Sequence, residues 1–334
     1  MGNKVKTLLE RINRLRLLVV GDVILDHYIW GETSRVSPEA PVPVVTVNRD
    51  TYGLGGAANV ALNLNDLGCQ VAILGIIGDD WAGERTRVLM EDAQIKCDGL
   101  IVSRNAPTIL KTRVIAQQQQ LCRLDRESPP QEYSIGLSFE GEKVAELVRE
   151  ADAVIFSDYG KGCITENLIE TVQELASEKE AIVAYDPKPR RRIKFKGFGL
   201  MTPNRIESLE LAGIETSIHA DFPAAEVCRR IWEKYEPRLL AVTLASDGLL
   251  LSEEGEVTMA IPTYAREVFE VSGAGDTVIA ALTAAMAAGA EIKDAAHLAN
   301  TAAGIVVGKW GTSTATPEEL LEYARLHGCA PSEN

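Results

Sequence analysis

Gly273-Ala274-Gly275-Asp276 opens onto Thr277 to Ala290, a run without a single charge. Glycines lack a Cβ, so a ligand can approach the backbone there. The free N–H groups and positive dipole at a helix start then form an anion site. An aspartate beside that site repels the anion the amides attract, which points to a base working next to a bound polyanion. The alternative is a first-turn residue favoured by the helix dipole, and this stretch alone leaves both readings open. Asn204 and Glu207 stand three apart and would share a face on a helix's first turn. They suit either a hard cation such as Mg²⁺, which takes carboxylate, carbonyl and water oxygens, or a capping arrangement. Gly53-Leu54-Gly55-Gly56, with Asn59 beyond it, lets backbone approach a small polar ligand. It is also the pattern of a dinucleotide fingerprint, with Asp79 or Asp80 as the acidic residue. Asp22 and Asp26 follow an apolar strand, Asp158-Tyr159-Gly160-Lys161 a second, and Asp186-Pro187-Lys188 a third. Ligands of open α/β sheets bind at such carboxyl ends. The basic run Lys188, Arg190, Arg191, Arg192, Lys194, Lys196 is either a solvated loop or a phosphate contact.

Those residues need a frame. Leu17–Val20, Val71–Ile77, Ala153–Phe156, Ala181–Tyr185, Leu239–Leu244 and Leu249–Ser252 read as strands. Helices are expected near Val5–Arg14, from Gly56 to about Leu67, over Trp81–Ala93, up to Arg149, and over Glu166–Ala176, Arg205–Leu211, Pro223–Tyr235, Ala295–Val307 and Pro317–Leu326. The helix that begins at Asp276 is apolar on every face and belongs at the centre of the protein; it is too short to span a bilayer. Alternating β and α predicts a mostly parallel sheet covered by helices on both faces. Two extended segments, about 28–47 and 108–125, interrupt the alternation and predict a small antiparallel β lid. Prolines at 38, 41 and 43 suit an edge strand. The dinucleotide fingerprint normally follows the first central strand, yet Leu17–Val20 ends in Gly-Asp-Val, and the proline-rich segment before Gly53 is poor central-strand material.

The chain has 334 residues, 46% hydrophobic and 25% charged, with a formal net charge of −14. That balance is a soluble globular protein's and excludes nucleic acid or an anionic membrane as the main partner. A phosphate ligand must therefore be held by a local basic pocket and backbone amides. Six scattered cysteines, without a C-x-x-C pair, are neither a zinc site nor a disulfide framework. With no signal peptide they predict a cytoplasmic protein. There is no P-loop, so a phosphate site must be built differently.

Gly55-Gly56-x-x-Asn59, Asn204-x-x-Glu207, Thr243-x-x-x-x-Gly248 and Gly273-Ala274-Gly275-Asp276, in that order, resemble the ribokinase (PfkB) carbohydrate kinase family over about residues 15 to 328. The strings GDVILDHYIWG, SRVSPEAPVPVV, GGAANVALNL, KTRVIAQQQQLCRLD, SDYGKG, DPK, TPNRIE and VSGAGDTVIAAL are similar to those of members that act on D-glycero-β-D-manno-heptose 7-phosphate. The chain departs from the family pattern at Ala245, at Glu270 and after Asp186-Pro187-Lys188, where Pro189 follows. The resemblance implies a ribokinase-like fold and ATP-dependent phosphorylation of a sugar phosphate, with Mg²⁺ and room for a monovalent cation. It also implies a homodimer. Heptose kinases are often fused to a nucleotidyltransferase; the expectation here is one kinase domain over 1–334 without it. By the same resemblance Asp276 is the base, with Gly273, Ala274 and Gly275 as the anion hole. Asn204 and Glu207 hold Mg²⁺. Asp26, Gly55, Gly56 and Asn59 meet sugar hydroxyls, with Asp22 as a further candidate. Thr243, Gly248, Asn300 and Gly304 surround the nucleotide, to which Asp186 and Lys188 are added from their place at a strand end. From charge and location alone, Arg35, Lys111, Arg113, Arg123 and Lys161 are candidates for the substrate's own phosphate. A kinase for another sugar and a non-catalytic sensor are the alternatives, and the sensor's expected mark, a lost Asp276, is not found.

Overall fold

Leu17-Leu18-Val19-Val20 has no polar side chain to turn outward, and it forms the central strand β1 (Arg16–Gly21), buried from Leu17 onward. The computed structural model describes residues 2–117, 119–189, 194–215, 221–264, 272–309 and 313–327. Arg190 to Arg192, Val268 to Val271 with Glu270, and Cys329 lie outside the described residues. After β1 come β2 (Val23–Val36), β3 (Pro43–Gly56), β4 (Gln70–Gly78), β5 (Lys96–Ser103), β6 (Ile109–Ala116) and β7 (Gln119–Arg126). Then follow β8 (Ala153–Ser157), β9 (Ile182–Asp186), β10 (Leu200–Met201), β11 (Leu240–Thr243), β12 (Leu249–Glu253) and β13 (Glu256–Ile261). The helices are α1 (Gly2–Ile12), α2 (Ala57–Asp66), α3 (Trp81–Asp92), α4 (Leu137–Glu150) and α5 (Glu166–Ser177). The rest are α6 (Arg205–Ala212), α7 (Ala224–Tyr235), α8 (Ala274–Ala287), α9 (Ile292–Val306) and α10 (Pro317–His327).

Among the described residues the large sheet has nine strands in the order β13-β12-β11-β10-β9-β8-β1-β4-β5. All neighbours are parallel from β11 to β5, while β12 and β13 run antiparallel. Alternate residues of a strand point to opposite faces. Leu17 and Val19 thus join one core with α1, α2, α8 and α9, and Leu18 and Val20 join another with α4, α5 and α7. The prediction for α8 holds, with every residue from Asp276 to Ala285 buried. Among the described residues no helix is long and apolar enough to cross a membrane.

The smaller sheet is β3-β2-β6-β7. It is larger than the predicted lid segments, because β2 starts at Val23 and β3 runs on to Gly56. Its outer pairs are antiparallel, but β2 and β6 in the middle are parallel. The reason is the direction of exit: β2 continues β1 and β6 follows β5, two strands that leave the large sheet at the same edge. Three strands escaped the sequence pattern. β10 is two residues long, and β5 (KCDGLIVS) and β13 (EVTMAI) are edge strands with much polar or exposed surface.

Candidate active site

Five strand ends converge on one edge of the large sheet. Asp22 follows β1, Asp158 follows β8, Asp186 ends β9, Thr202 follows β10 and Thr243 ends β11. β1 has β8 on one side and β4 on the other, which makes it the switch point where such sheets open a crevice. α8 delivers its first turn to this edge. Gly273 caps it at φ 83°, a left-handed conformation suited to glycine. A Cβ on Gly275 would meet nothing within 4 Å, so the helix start faces open space.

Asp276 is 5% exposed. Asn59 Nδ2 donates to one carboxylate oxygen at 2.6 Å and the Tyr159 hydroxyl to the other at 2.7 Å. Burial pushes this carboxyl up to about 6; the Asn59 and Tyr159 hydrogen bonds and the Lys188 ammonium pull it down, while Asp26 adds to the rise. Asn59 is fixed in turn, since Thr277 Oγ1 donates to Asn63 Oδ1 at 2.7 Å and Asn63 Nδ2 to the Asn59 carbonyl at 2.8 Å. These bonds tie α2 to α8.

On the lid side, Arg113 donates to Asp26 at 2.5 Å. A Cβ on Gly55 would lie 2.5 Å from that carboxylate, so the glycine makes room for it. Gly56, at φ 58°, would place a Cβ 2.4 Å from the Asp22 carbonyl. The structure gives Asp22 a different task from the one predicted. Its carboxylate accepts from the backbone N–H groups of Tyr159, Lys161 and Cys163 at 2.9, 2.9 and 3.0 Å. It holds the loop after β8 and has little capacity left for a sugar. The phosphate-clamp prediction changes as well. Arg123 pairs with Asp125 at 2.8 Å, Lys161 with Glu127 at 2.7 Å, and Arg113 is the counter-ion of Asp26. Arg35 is exposed near the far end of β2, nine residues or roughly 30 Å of strand from Asp26, so it stands outside the site. Lys111 is different. It neighbours Asp26 across the β2–β6 pairing, its ammonium lies 5.3 Å from the centroid of the Tyr159 ring, and it forms no salt bridge within the described residues. Burial pulls its pKa down, against the nearby Asp26.

On the other side, Lys188 pairs with Glu207 and lies 5.4 Å from the same Tyr159 ring centroid. Asp186 is buried, and burial followed by the Glu207 charge holds its carboxyl well above the usual range. Lys188 is raised although burial opposes it, because Asp186, Glu207 and Asp276 surround it. Of the two readings for Asn204 and Glu207, capping is what forms: Asn204 Oδ1 accepts from Ile206 and Glu207 N–H at 2.9 Å, and Glu207 Oε2 accepts from Asn204 N–H at 2.9 Å. Capping does not exhaust Glu207, whose other oxygen accepts from Lys188. Two carboxylates around one ammonium leave a demand for positive charge that a hard cation fits. Among the described residues no three His, Cys, Asp or Glu side chains could hold a metal alone, so such an ion would be completed by water and phosphate oxygens.

Thr243 bridges to Asn204. Gly248 turns the chain at φ 91°, where a Cβ would lie 2.0 Å from the Ile261 carbonyl. Asn300 Nδ2 donates to the Pro262 carbonyl at 2.8 Å, and Gly304 follows four residues on, along the same face of α9. Sequence reading missed Tyr159 as a partner of Asp276; the available signal was an aromatic residue at the carboxyl end of β8. The dinucleotide reading loses its frame, because Gly53 to Gly56 end β3 of the smaller sheet.

Comparison with known proteins agrees with this architecture. The chain is 40% identical over 327 residues to the bifunctional protein HldE of Wolinella succinogenes, covering 96% of this chain and 66% of that protein. It is 42% identical over 312 residues to the bifunctional protein HldE of Desulfatibacillum aliphaticivorans, covering 91% and 62%. The chain therefore spans less than two thirds of the length of these relatives. In fold it is similar to Arabidopsis thaliana ribokinase complexed with ribose and ATP, with a TM-score of 0.70 at 20% identity over 92% of this chain and 98% of that one. The model of the pfkB family carbohydrate kinase matches residues 14–319, and with the buried aspartate at the mouth of α8 this chain belongs to that family of phosphotransferases with an alcohol acceptor.

Proposed function

We propose that the protein phosphorylates the anomeric hydroxyl of D-glycero-β-D-manno-heptose 7-phosphate with ATP, giving the 1,7-bisphosphate on the route to ADP-heptose for lipopolysaccharide core. The observation that carries this reading is Asp276, a buried carboxylate at an open helix N-terminus. The kinship with two HldE proteins supports the sugar. Asp276 takes the proton of the anomeric hydroxyl. The freed oxygen bonds to the γ-phosphorus while the bond from that phosphorus to the β,γ-bridging oxygen breaks, and ADP leaves. The amides of Gly273 to Gly275 face the charge on the transferring group. Asp26, Gly55, Gly56 and Asn59 orient the sugar, and Lys111 meets its phosphate. Thr243, Gly248, Asn300 and Gly304 flank the nucleotide, and Lys188 reaches toward its phosphates. Glu207, with Asn204 at its side, would hold Mg²⁺, which supplies charge neutralisation on the phosphate oxygens.

An ADP-release assay on heptose 7-phosphate, unphosphorylated heptose, fructose 6-phosphate and ribose tests the reading. The highest kcat/KM is expected for heptose 7-phosphate; a higher value for any other sugar overturns it. Running the assay with and without potassium reads out the monovalent cation. ATP use, and Cys69, Cys97, Cys122, Cys163 and Cys228 standing outside any disulfide among the described residues, fit the cytoplasm.

The lid supports a homodimer. Of the eleven large hydrophobic residues exposed among the described ones, Val36, Val42, Val47, Leu121 and Leu124 lie on or beside lid strands. Concentrated there, they mark a surface that association would cover. Leu124→Glu is expected to halve the mass seen by sedimentation, and a wild-type chain that sediments as a monomer refutes the dimer.

A further inference from the structure

Tyr159 stands where the two halves of the site meet. Its backbone N–H is held by Asp22 at 2.9 Å and its hydroxyl donates to Asp276 at 2.7 Å. Lys111 from the lid and Lys188 from the loop after β9 bring their ammonium groups to 5.3 and 5.4 Å from its ring centroid. We propose that Tyr159 is a positioning residue for the transfer step: it holds one oxygen of Asp276 while Asn59 holds the other, so that only the outward lone pairs of the carboxylate face the acceptor hydroxyl. This rests on the kinase reading above.

The geometry gives the hydroxyl one role at all working pH. Burial, then the charges of Asp276 and Asp186, push the Tyr159 phenol well above its ordinary value, so it stays neutral and always donates. The groups facing Asp276 are Asn59 from α2, Tyr159 from the loop after β8, Lys188 and Asp186 from the end of β9, and Asp26 from β2. Of these, Asn59, Tyr159 and Lys188 favour the ionised carboxylate and Asp26 opposes it. A donor to an ionised acceptor is worth more than a neutral pair. Removing the phenol oxygen must therefore shift the Asp276 titration upward. A hydroxyl serving only as a sugar ligand would leave that titration alone and raise KM instead.

Tyr159→Phe keeps the ring and both cation–ring contacts, and removes only the bond to Asp276. In the substrate-free 334-residue chain carrying ¹³Cγ-aspartate, the Asp276 resonance is identified by its absence from Asp276→Asn. It should titrate near 6 in the wild type and about one pH unit higher in Tyr159→Phe, by the loss of one charge-assisted hydrogen bond. The acid limb of kcat/KM should move by the same amount. An unchanged midpoint in the variant overturns the proposal. Failure of every sugar phosphate to turn over, with the titration shifted, faults the acceptor assignment and leaves the Tyr159–Asp276 bond in place.

Discussion

Asp276→Asn is expected to lower kcat at least ~10²-fold, the usual loss on removing a general base, with ATP still bound. The change leaves the glycine turn and its amides in place, so nucleotide affinity measured by calorimetry should stay within about threefold, less than 1 kcal/mol. It should also make the protein more stable, with a definite pH dependence. The carboxyl titrates near 6 in the folded state against an ordinary 3.8. The folded wild type thus binds more protons than the unfolded chain between those values, and loses stability as pH rises from about 4 to about 6. A difference of about two pH units corresponds to roughly 3 kcal/mol. The amide escapes that penalty, so Asp276→Asn should match the wild type near pH 4 and exceed it by up to roughly 3 kcal/mol at pH 7. Asparagine can be accommodated: the Tyr159 hydroxyl can still donate to its oxygen, and Asn59 Oδ1, which has no partner among the described residues, can accept from its NH₂ once the Asn59 amide turns over. In the wild type, kcat/KM should fall about tenfold per pH unit below about 6, because the protonated carboxyl cannot accept. Near-normal turnover of the variant, or a stability gain that ignores pH, would remove Asp276 from this role.

Lys111→Met should reduce kcat/KM for the phosphorylated sugar by about 10²-fold, the scale of one hydrogen-bonded charge lost from a partly buried site. Methionine keeps the apolar stem. The KM for ATP and any turnover of unphosphorylated sugar should be unaffected. Lys111 is chosen over its neighbours because Arg113, Arg123 and Lys161 already have carboxylate partners, whereas its own ammonium forms no salt bridge among the described residues. Arg113→Ala would instead strand Asp26 as a buried charge, a defect of the sugar pocket rather than of the phosphate. Because burial pulls the Lys111 pKa down, acceptor affinity should fade on the alkaline side before an exposed lysine would lose its proton. A loss shared equally by ATP and sugar in Lys111→Met would rule out a dedicated clamp.

Much of this was legible in the residue order. A charge-free run after a glycine turn can be stable only when buried, so α8 and the exposed mouth at Asp276 followed from composition along the chain. The alternation of apolar strands with amphipathic helices did the same for the parallel sheet, because period and burial are local properties. Edge strands such as β5 and β13 carry no such signature, since only one neighbour pairs with them. The boundaries of the lid were also hidden, because Gly53 to Gly56 look like a turn and become strand only by pairing with Val23 to Asp26.

The sequence alone thus determined which residues could be a base, an anion hole and a cation clamp, and that the base and the anion hole lie at the start of a helix. Only the tertiary structure decided which of them act together. Asn59 reaches Asp276 across 217 positions and Tyr159 across 117, and Asp22 turns from ligand candidate to loop anchor because three amides claim it. Ion pairing sorts the basic residues in the same way: among the described residues Arg113, Arg123 and Lys161 each have a carboxylate in a salt bridge and Lys111 has none. The physical reason is that hydrogen bonds and charge compensation depend on distance in space, and no periodicity along a chain encodes a contact between residues a hundred positions apart.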